Sequence, residues 1–195
     1  MPPDDELADA LRGAQKGDET SFAVLWRTLQ PAVLRYLRVV VGDTAEDVAS
    51  ETWLQAIRDL HRFTGDPANF RAWLFRIARH RAIDERRRAG RRPEHPTDQP
   101  DTGAPTGRDT ATEVIEGDST AWALTLIATL PADQAEAVML RVVAGLDVAG
   151  TAHVLGKRSG AVRIATMRGL RRLAAHPQVR TRHEQHRLHE AAGEV

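Results

Sequence analysis

The sequence predicts an all-α protein: two small helical domains joined by a flexible acidic linker, the second being a helix-turn-helix domain. Three observations point there. Apolar residues recur at helical spacing along most of the 195 residues, without the alternation of strands. That periodicity lapses once, over about 90–117, where Pro, Gly, Thr and Asp take over. Beyond the lapse, a short helix, a glycine turn and a longer basic helix follow in helix-turn-helix proportions.

A first helix is expected over about 5–15, stopped by Gly17. The next spans about 19–41, with Phe22, Leu25, Trp26, Leu29, Val33, Leu37 and Val40 on one side. Pro31 should kink or break it, because proline lacks the amide hydrogen and crowds the preceding turn. Gly42 ends it, and Thr44-Ala45-Glu46-Asp47 reads as a capping box opening a third helix to about residue 60. That helix should bury Ala45, Val48, Thr52, Ala56 and Leu60, with Trp53 and Ile57 beside them, and expose Glu46, Asp47, Ser50, Glu51 and Leu54. After a loop at 61–68 with Gly65 and Pro67, a fourth helix over about 69–89 should bury Phe70, Trp73, Leu74, Ile77 and Ala78.

The second domain is expected over 118–176, between a linker at 93–117 and a polar, frayed tail at 177–195; residues 1–92 form the first. Its helices should cover about 119–129, 132–143, 147–155 and 159–175, with turns at Gly145 and Gly156. On the last, Val162, Ala165, Thr166, Gly169, Leu170 and Leu173 face the core, while Arg163, Ile164, Met167 and Arg171 point away.

Composition narrows the function. With no cysteine there are no disulfides, no thiol redox chemistry and no Cys-based zinc site. No apolar run approaches the roughly 18 residues of a membrane span, and the start, Asp4-Asp5-Glu6, is not a signal peptide. No membrane insertion and a cytoplasmic location are therefore expected.

The 27 Lys+Arg and 27 Asp+Glu cancel, but they are segregated. Residues 71–92 carry nine Arg against Asp84 and Glu85, a net +7; residues 157–172 carry six bases and no acid, a net +6. Residues 93–118 are −6 and residues 43–66 are −4. Two concentrated basic patches on a neutral chain indicate two nucleic-acid contacts. In the last helix, Arg158, Ser159, Arg163, Met167 and Arg171 are the candidates for duplex contact, the helix entering the major groove while flanking arginines take phosphates. In the fourth helix, Arg71, Phe75, Arg79 and Arg86 line one side beside Arg76 and His80, and an aromatic among arginines suits single-stranded DNA. In the acidic third helix, Leu54 among Asp47, Ser50 and Glu51 has the form of a protein contact with an apolar centre and a charged rim.

No phosphate-binding glycine loop, catalytic triad or paired-carboxylate site can be placed on rigid elements, so no enzyme activity and no cofactor are expected. The tail histidines His183, His186 and His189 lack the zincin spacing and read as solvated; no metal site is expected.

Asp43-Thr44-Ala45-Glu46-Asp47-Val48 with Glu51-Thr52-Trp53, then Phe70-Arg71-Ala72-Trp73-Leu74-Phe75-Arg76-Ile77-Ala78-Arg79 and Ala82-Ile83-Asp84, strongly resemble the first conserved domain of the extracytoplasmic-function (ECF) sigma factors. These are two-domain promoter-specificity subunits of bacterial RNA polymerase, in the sigma-70 family. A looser match runs from Leu130-Pro131 through Val138-Met139-Leu140-Arg141, Gly145-Leu146, Leu155-Gly156 and Gly160-Ala161-Val162-Arg163. The resemblance implies that Asp47, Ser50, Glu51 and Leu54 dock on core RNA polymerase. It implies that loop 61–69, with Arg76, Arg79 and His80 nearby, melts and reads the −10 element. It also implies that the last helix reads the −35 element, that the acidic linker threads toward the active-site and RNA-exit region, and that an anti-sigma factor is a possible further partner. The chain departs from the usual family pattern at Arg158, at Ile164-Ala165-Thr166 and at Ala149-Gly150-Thr151-Ala152.

Two other classes stand beside a sigma factor: a free-standing helix-turn-helix regulator whose N-terminal helices sense a ligand or dimerise, and a helical adaptor. The adaptor leaves the +7 and +6 patches without a purpose. Cosedimentation with core polymerase separates the sigma factor from both.

Overall fold

A computed structural model describes residues 4–90 and 111–182, and among them there are helices and turns but no strand. The first domain comprises α1 (Asp4–Gln15), α2 (Glu19–Val41), α3 (Ala45–Asp59) and α4 (Pro67–Ala89). The second comprises α5 (Ala111–Ala128), α6 (Ala132–Val138), which runs on into a π turn at Met139–Val143, α7 (Val148–Leu155) and α8 (Ser159–Ala174). Helix α5 thus starts well before the expected Ser119. Most of the linker, and the tail histidines His183, His186 and His189, lie outside the described residues.

Local chemistry starts three of these helices. The Asp18 carboxylate accepts from the amides of Thr20 (3.3 Å) and Ser21 (2.9 Å) at the head of α2. Hydrogen bonds from the Ser21 hydroxyl and amide hold that carboxyl below its ordinary pKa. Asp66 accepts from the Asn69 amide at 2.7 Å, with Pro67 in the first turn of α4. Asp147 accepts from the Gly150 amide at 2.6 Å to open α7. The expected capping box at Thr44 does not form. A 3₁₀ turn at Gly42–Thr44 precedes α3, and the Thr44 hydroxyl donates back to the Val41 carbonyl at 3.3 Å.

Pro31 does not break α2, which is continuous over its 23 residues. Proline deprives the carbonyl four residues earlier of its partner; that residue is Arg27, exposed like Pro31 itself, so the carbonyl left without its helical donor lies on the solvent side of α2. The first-domain core is built from Leu7 and Leu11, Leu25, Leu29, Val33 and Leu37, Val48 and Trp53, and Phe70, Leu74 and Ala78. The Trp53 indole packs edge-on to Phe22 and donates to the Gln30 amide oxygen at 2.6 Å, satisfying its single polar atom. Trp26 and Ile57, expected on or beside the buried faces, are 44% and 51% exposed.

In the second domain α6 crosses α8 at Gly169. A Cβ there would sit 2.8 Å from Cγ2 of Val138, so only glycine allows the two backbones this close. Gly156 takes the left-handed conformation (φ +63°) that ends α7, and the following Lys157 amide bonds the Ala152 carbonyl at 3.0 Å. Leu170, expected in the core, is 44% exposed, because Gly169 beside it takes the crossing point. The tail is not frayed from its start: Arg182 stacks over Trp122 at 4.6 Å and donates to the Ser119 hydroxyl at 2.8 Å.

The two domains pack on one another, chiefly α4 against α7 and α2 against α5 and α6. Ala72 of α4 lies against Gly150, where a Cβ would come within 3.6 Å of the alanine methyl.

Candidate protein and nucleic-acid interfaces

Helix α3 presents its acidic side to solvent. Asp47, Ser50 and Leu54 are exposed, and Leu54, at 54%, is among the most exposed large apolar side chains described. Ile57, one helical turn on and expected beside the buried face, is exposed and extends the apolar centre. Glu51 differs from its neighbours, since its carboxylate lies 3.7 Å from Arg88 and 4.0 Å from Arg81 of α4. Arg81 also donates to the Gln55 side chain at 2.7 and 3.0 Å. Glu51 therefore ties α3 to α4, whereas Asp47, Ser50 and Leu54 line the open face.

The structure divides the five candidates on α4. Arg76 and His80 are exposed, and Arg76 Nη1 lies 3.2 Å from Nε2 of His153 on α7. Arg79 is half-buried and donates to both carboxylate oxygens of Glu136 on α6, at 3.1 and 3.4 Å. Phe75 and Arg71 correct the sequence-based expectation. The Phe75 ring is wholly buried, edge-on to Tyr36 at 5.6 Å, and Arg71 is 6% exposed. A ring with no accessible face cannot stack on a base. The stripe Arg71–Phe75–Arg79 is not a solvated side of α4 because α2, α3 and α7 all pack against this helix.

Tyr36 completes the junction between domains. Its hydroxyl donates to Glu136 at 3.1 Å, so one carboxylate joins α2, α4 and α6. Burial, and then the Glu136 charge, push the phenol well above its ordinary value of 10.0. A raised folded-state pKa means the contribution is intact below the unfolded value and is lost as pH climbs through the folded one. Tyr36 is the chain's single tyrosine, so phenolate absorbance reports it alone. In an alkaline titration that absorbance should appear only above pH 10.0, together with loss of helical circular dichroism. A phenolate forming at 10.0 in a protein still fully helical would show that the phenol is not held at this junction.

A cleft of about 890 Å³ separates the loop before α4 and the first turns of α4 from α7. Arg62, Asn69 and Trp73 line one wall, and Leu146, Gly150 and His153 the other. The loop is braced from behind: Phe63 packs on Phe70 and Trp73 at 5.5 and 5.3 Å, and its carbonyl accepts from Gln15 at 2.7 Å.

Helix α8 buries Val162, Ala165 and Gly169 and exposes the opposite side. Arg158, Arg163, Met167 and Arg171 are all exposed, with Ser159 half-buried in the first turn. No side chain caps the head of α8, leaving its first amides for an anion such as a phosphate. Among the described residues no group of three His, Cys, Asp or Glu is placed to hold a metal, and no helix is long and apolar enough to cross a membrane.

Comparison with known proteins maps onto these two domains. Residues 25–92 match the family model Sigma-70 region 2, and residues 120–173 match Sigma-70, region 4. The chain is 36% identical over 175 residues to the ECF RNA polymerase sigma factor SigD of Mycobacterium tuberculosis, covering 87% of this chain and 82% of SigD. It is 34% identical over 190 residues to the ECF RNA polymerase sigma factor ShbA of Streptomyces griseus, covering 88% and 97%. Among solved structures, CnrH in complex with the cytosolic domain of CnrY has a TM-score of 0.60 at 22% identity, covering 87% of this chain and 96% of CnrH. The sigma factor RpoE of Bartonella quintana, in complex with the anti-sigma factor NepR, has 0.58 at 23%, covering 79% and 94%. At such identities these two structures speak for the shared helical fold.

Proposed function

The chain belongs to the ECF sigma factors of the sigma-70 family, and on that premise we propose how its surfaces divide the work of promoter recognition. A sigma factor confers promoter recognition on core RNA polymerase and allows initiation; it works by binding, in the cytoplasm where the polymerase acts. The open face of α3, with Asp47, Ser50 and Leu54, docks on core polymerase, while Glu51 holds that face in register through Arg81 and Arg88. Residues 61–69, the loop and first turn of α4, with Arg76, Arg79 and His80 take the melted −10 element. Helix α8, through Arg158, Ser159, Arg163, Met167 and Arg171, takes the −35 duplex. The acidic linker between the domains runs toward the polymerase RNA-exit region, and an anti-sigma factor is a further partner.

The observation that carries this division is the separation of surfaces: an acidic face with an exposed apolar centre in the first domain, and an arginine-bordered helix-turn-helix in the second. Arg76 and Arg79 are engaged by His153 and Glu136, so reading the −10 element requires the two domains to part. The test is transcription from a genomic library by core polymerase with and without the full chain. New start sites sharing two upstream elements are expected. A chain that neither cosediments with core polymerase nor creates start sites would overturn the division in favour of a free-standing regulator.

A further inference from the structure

Along α8 the line most distant from the domain core is set by helical spacing from the buried Val162, Ala165 and Gly169. It runs through Gly160, Ile164, Met167 and Arg171. Two of these four are large and apolar, with Ile164 48% and Met167 43% exposed. Gly160 carries no side chain, and the space a Cβ would occupy there is empty. Arg163 and Arg168 flank the line on its two sides, and residues 157–172 contain no acid.

A surface for a protein partner commonly carries an apolar centre within a mixed-charge rim; here the rim is cationic throughout, which suits a polyanion. The centre of a helix inserted in the major groove meets base edges, and its borders meet phosphates. Ile164 and Met167 have no strong hydrogen-bonding group to offer a base edge. The one apolar group on the major-groove edge of the four standard bases is the thymine C5-methyl. We infer that Ile164 and Met167 are specificity-determining residues that select thymines in the upstream duplex by burying their C5-methyl groups, while Arg163, Arg168 and Arg171 supply cationic contacts. This rests on α8 being the duplex-reading helix.

The experiment uses the full chain assembled with core polymerase. Duplexes are selected from a randomised pool, and each thymine in the upstream element is then replaced singly by deoxyuridine, which removes the methyl group and leaves every hydrogen-bonding atom. For at least one position, loss of the methyl should weaken binding roughly fourfold, the factor expected for one buried methyl-sized group. Ile164→Ala or Met167→Ala should abolish that preference, so that thymine and uracil duplexes bind alike. Arg168→Ala should weaken both duplexes equally and preserve the preference. Both residues are exposed, so circular dichroism should confirm intact folds, and the uracil substitution tests the idea without any mutation.

Selected duplexes that bind with no methyl dependence at any position would overturn the inference while leaving α8 as the duplex reader. A methyl preference that survives in both alanine variants would also overturn it, assigning the readout elsewhere. Failure of the assembled complex to select any upstream sequence would instead overturn the assignment of α8 itself, and this inference with it.

Discussion

The double variant Asp47→Arg/Leu54→Arg is expected to bind core RNA polymerase roughly 100-fold more weakly than the wild type, a loss near 3 kcal/mol. Both side chains are on the open face of α3. Leu54 stands where an interface centre would be desolvated, and a guanidinium there replaces apolar burial with a charge that must lose its water. Asp47 is in the first turn, so its replacement also forfeits about 0.3–1 kcal/mol of interaction with the helix dipole. Folding should otherwise be undisturbed, because Val48, Ala49, Thr52 and Ala56 remain buried on the far side. Glu51 is spared in this design: its carboxylate lies beside Arg81 and Arg88, and a third arginine there would loosen α3 from α4. Polymerase affinity is measured by anisotropy, with circular dichroism as the folding control. Wild-type affinity in a folded double variant would remove α3 from the interface.

Phe75→Ala should cost about 3–5 kcal/mol of stability, the range for truncating a fully buried aromatic. The ring fills space between α4 and Tyr36, and its loss removes an edge-to-face contact as well as apolar burial. Phe75→Leu should recover most of that loss. Urea unfolding gives the comparison, with an unchanged slope required for the two values to be set side by side. A base-stacking role makes the opposite forecast, unchanged stability with weakened single-strand binding. That pattern would put the ring back on the surface.

The α3 face and Phe75 illustrate what could be read from sequence and what could not. The acidic face of α3 was legible because it depends on one helix alone: at 100° per residue, Asp47, Ser50 and Leu54 fall on the side opposite Val48 and Thr52 whatever else the chain does. The outer line of α8 was legible for the same reason, and the helix-turn-helix followed from a glycine that can adopt φ +63° between two helical stretches. The caps were less legible: the sequence offered a capping box at Thr44 that does not form, whereas the carboxylates that do cap helices are Asp18, Asp66 and Asp147.

What lay beyond the sequence was how many neighbours each helix would have. Periodicity reports that one side of a helix is more apolar than the other, and the polar side is then assigned to solvent. Helix α4 breaks that inference because it is covered by its own domain and also by α7. Its mixed stripe of Arg71, Phe75 and Arg79 consequently faces protein. Arg79 is neutralised by Glu136, a partner 57 positions along the chain, and Tyr36 reaches the same carboxylate across 100 positions. Pro31 escaped its usual consequence because the carbonyl it leaves without a partner belongs to the exposed Arg27. The sequence by itself determined the helices and the faces that solvent meets on α3 and α8. The tertiary structure decided which charged and aromatic side chains are withdrawn from that surface, because a helix's second neighbour is chosen by packing between distant segments and leaves no local periodic trace.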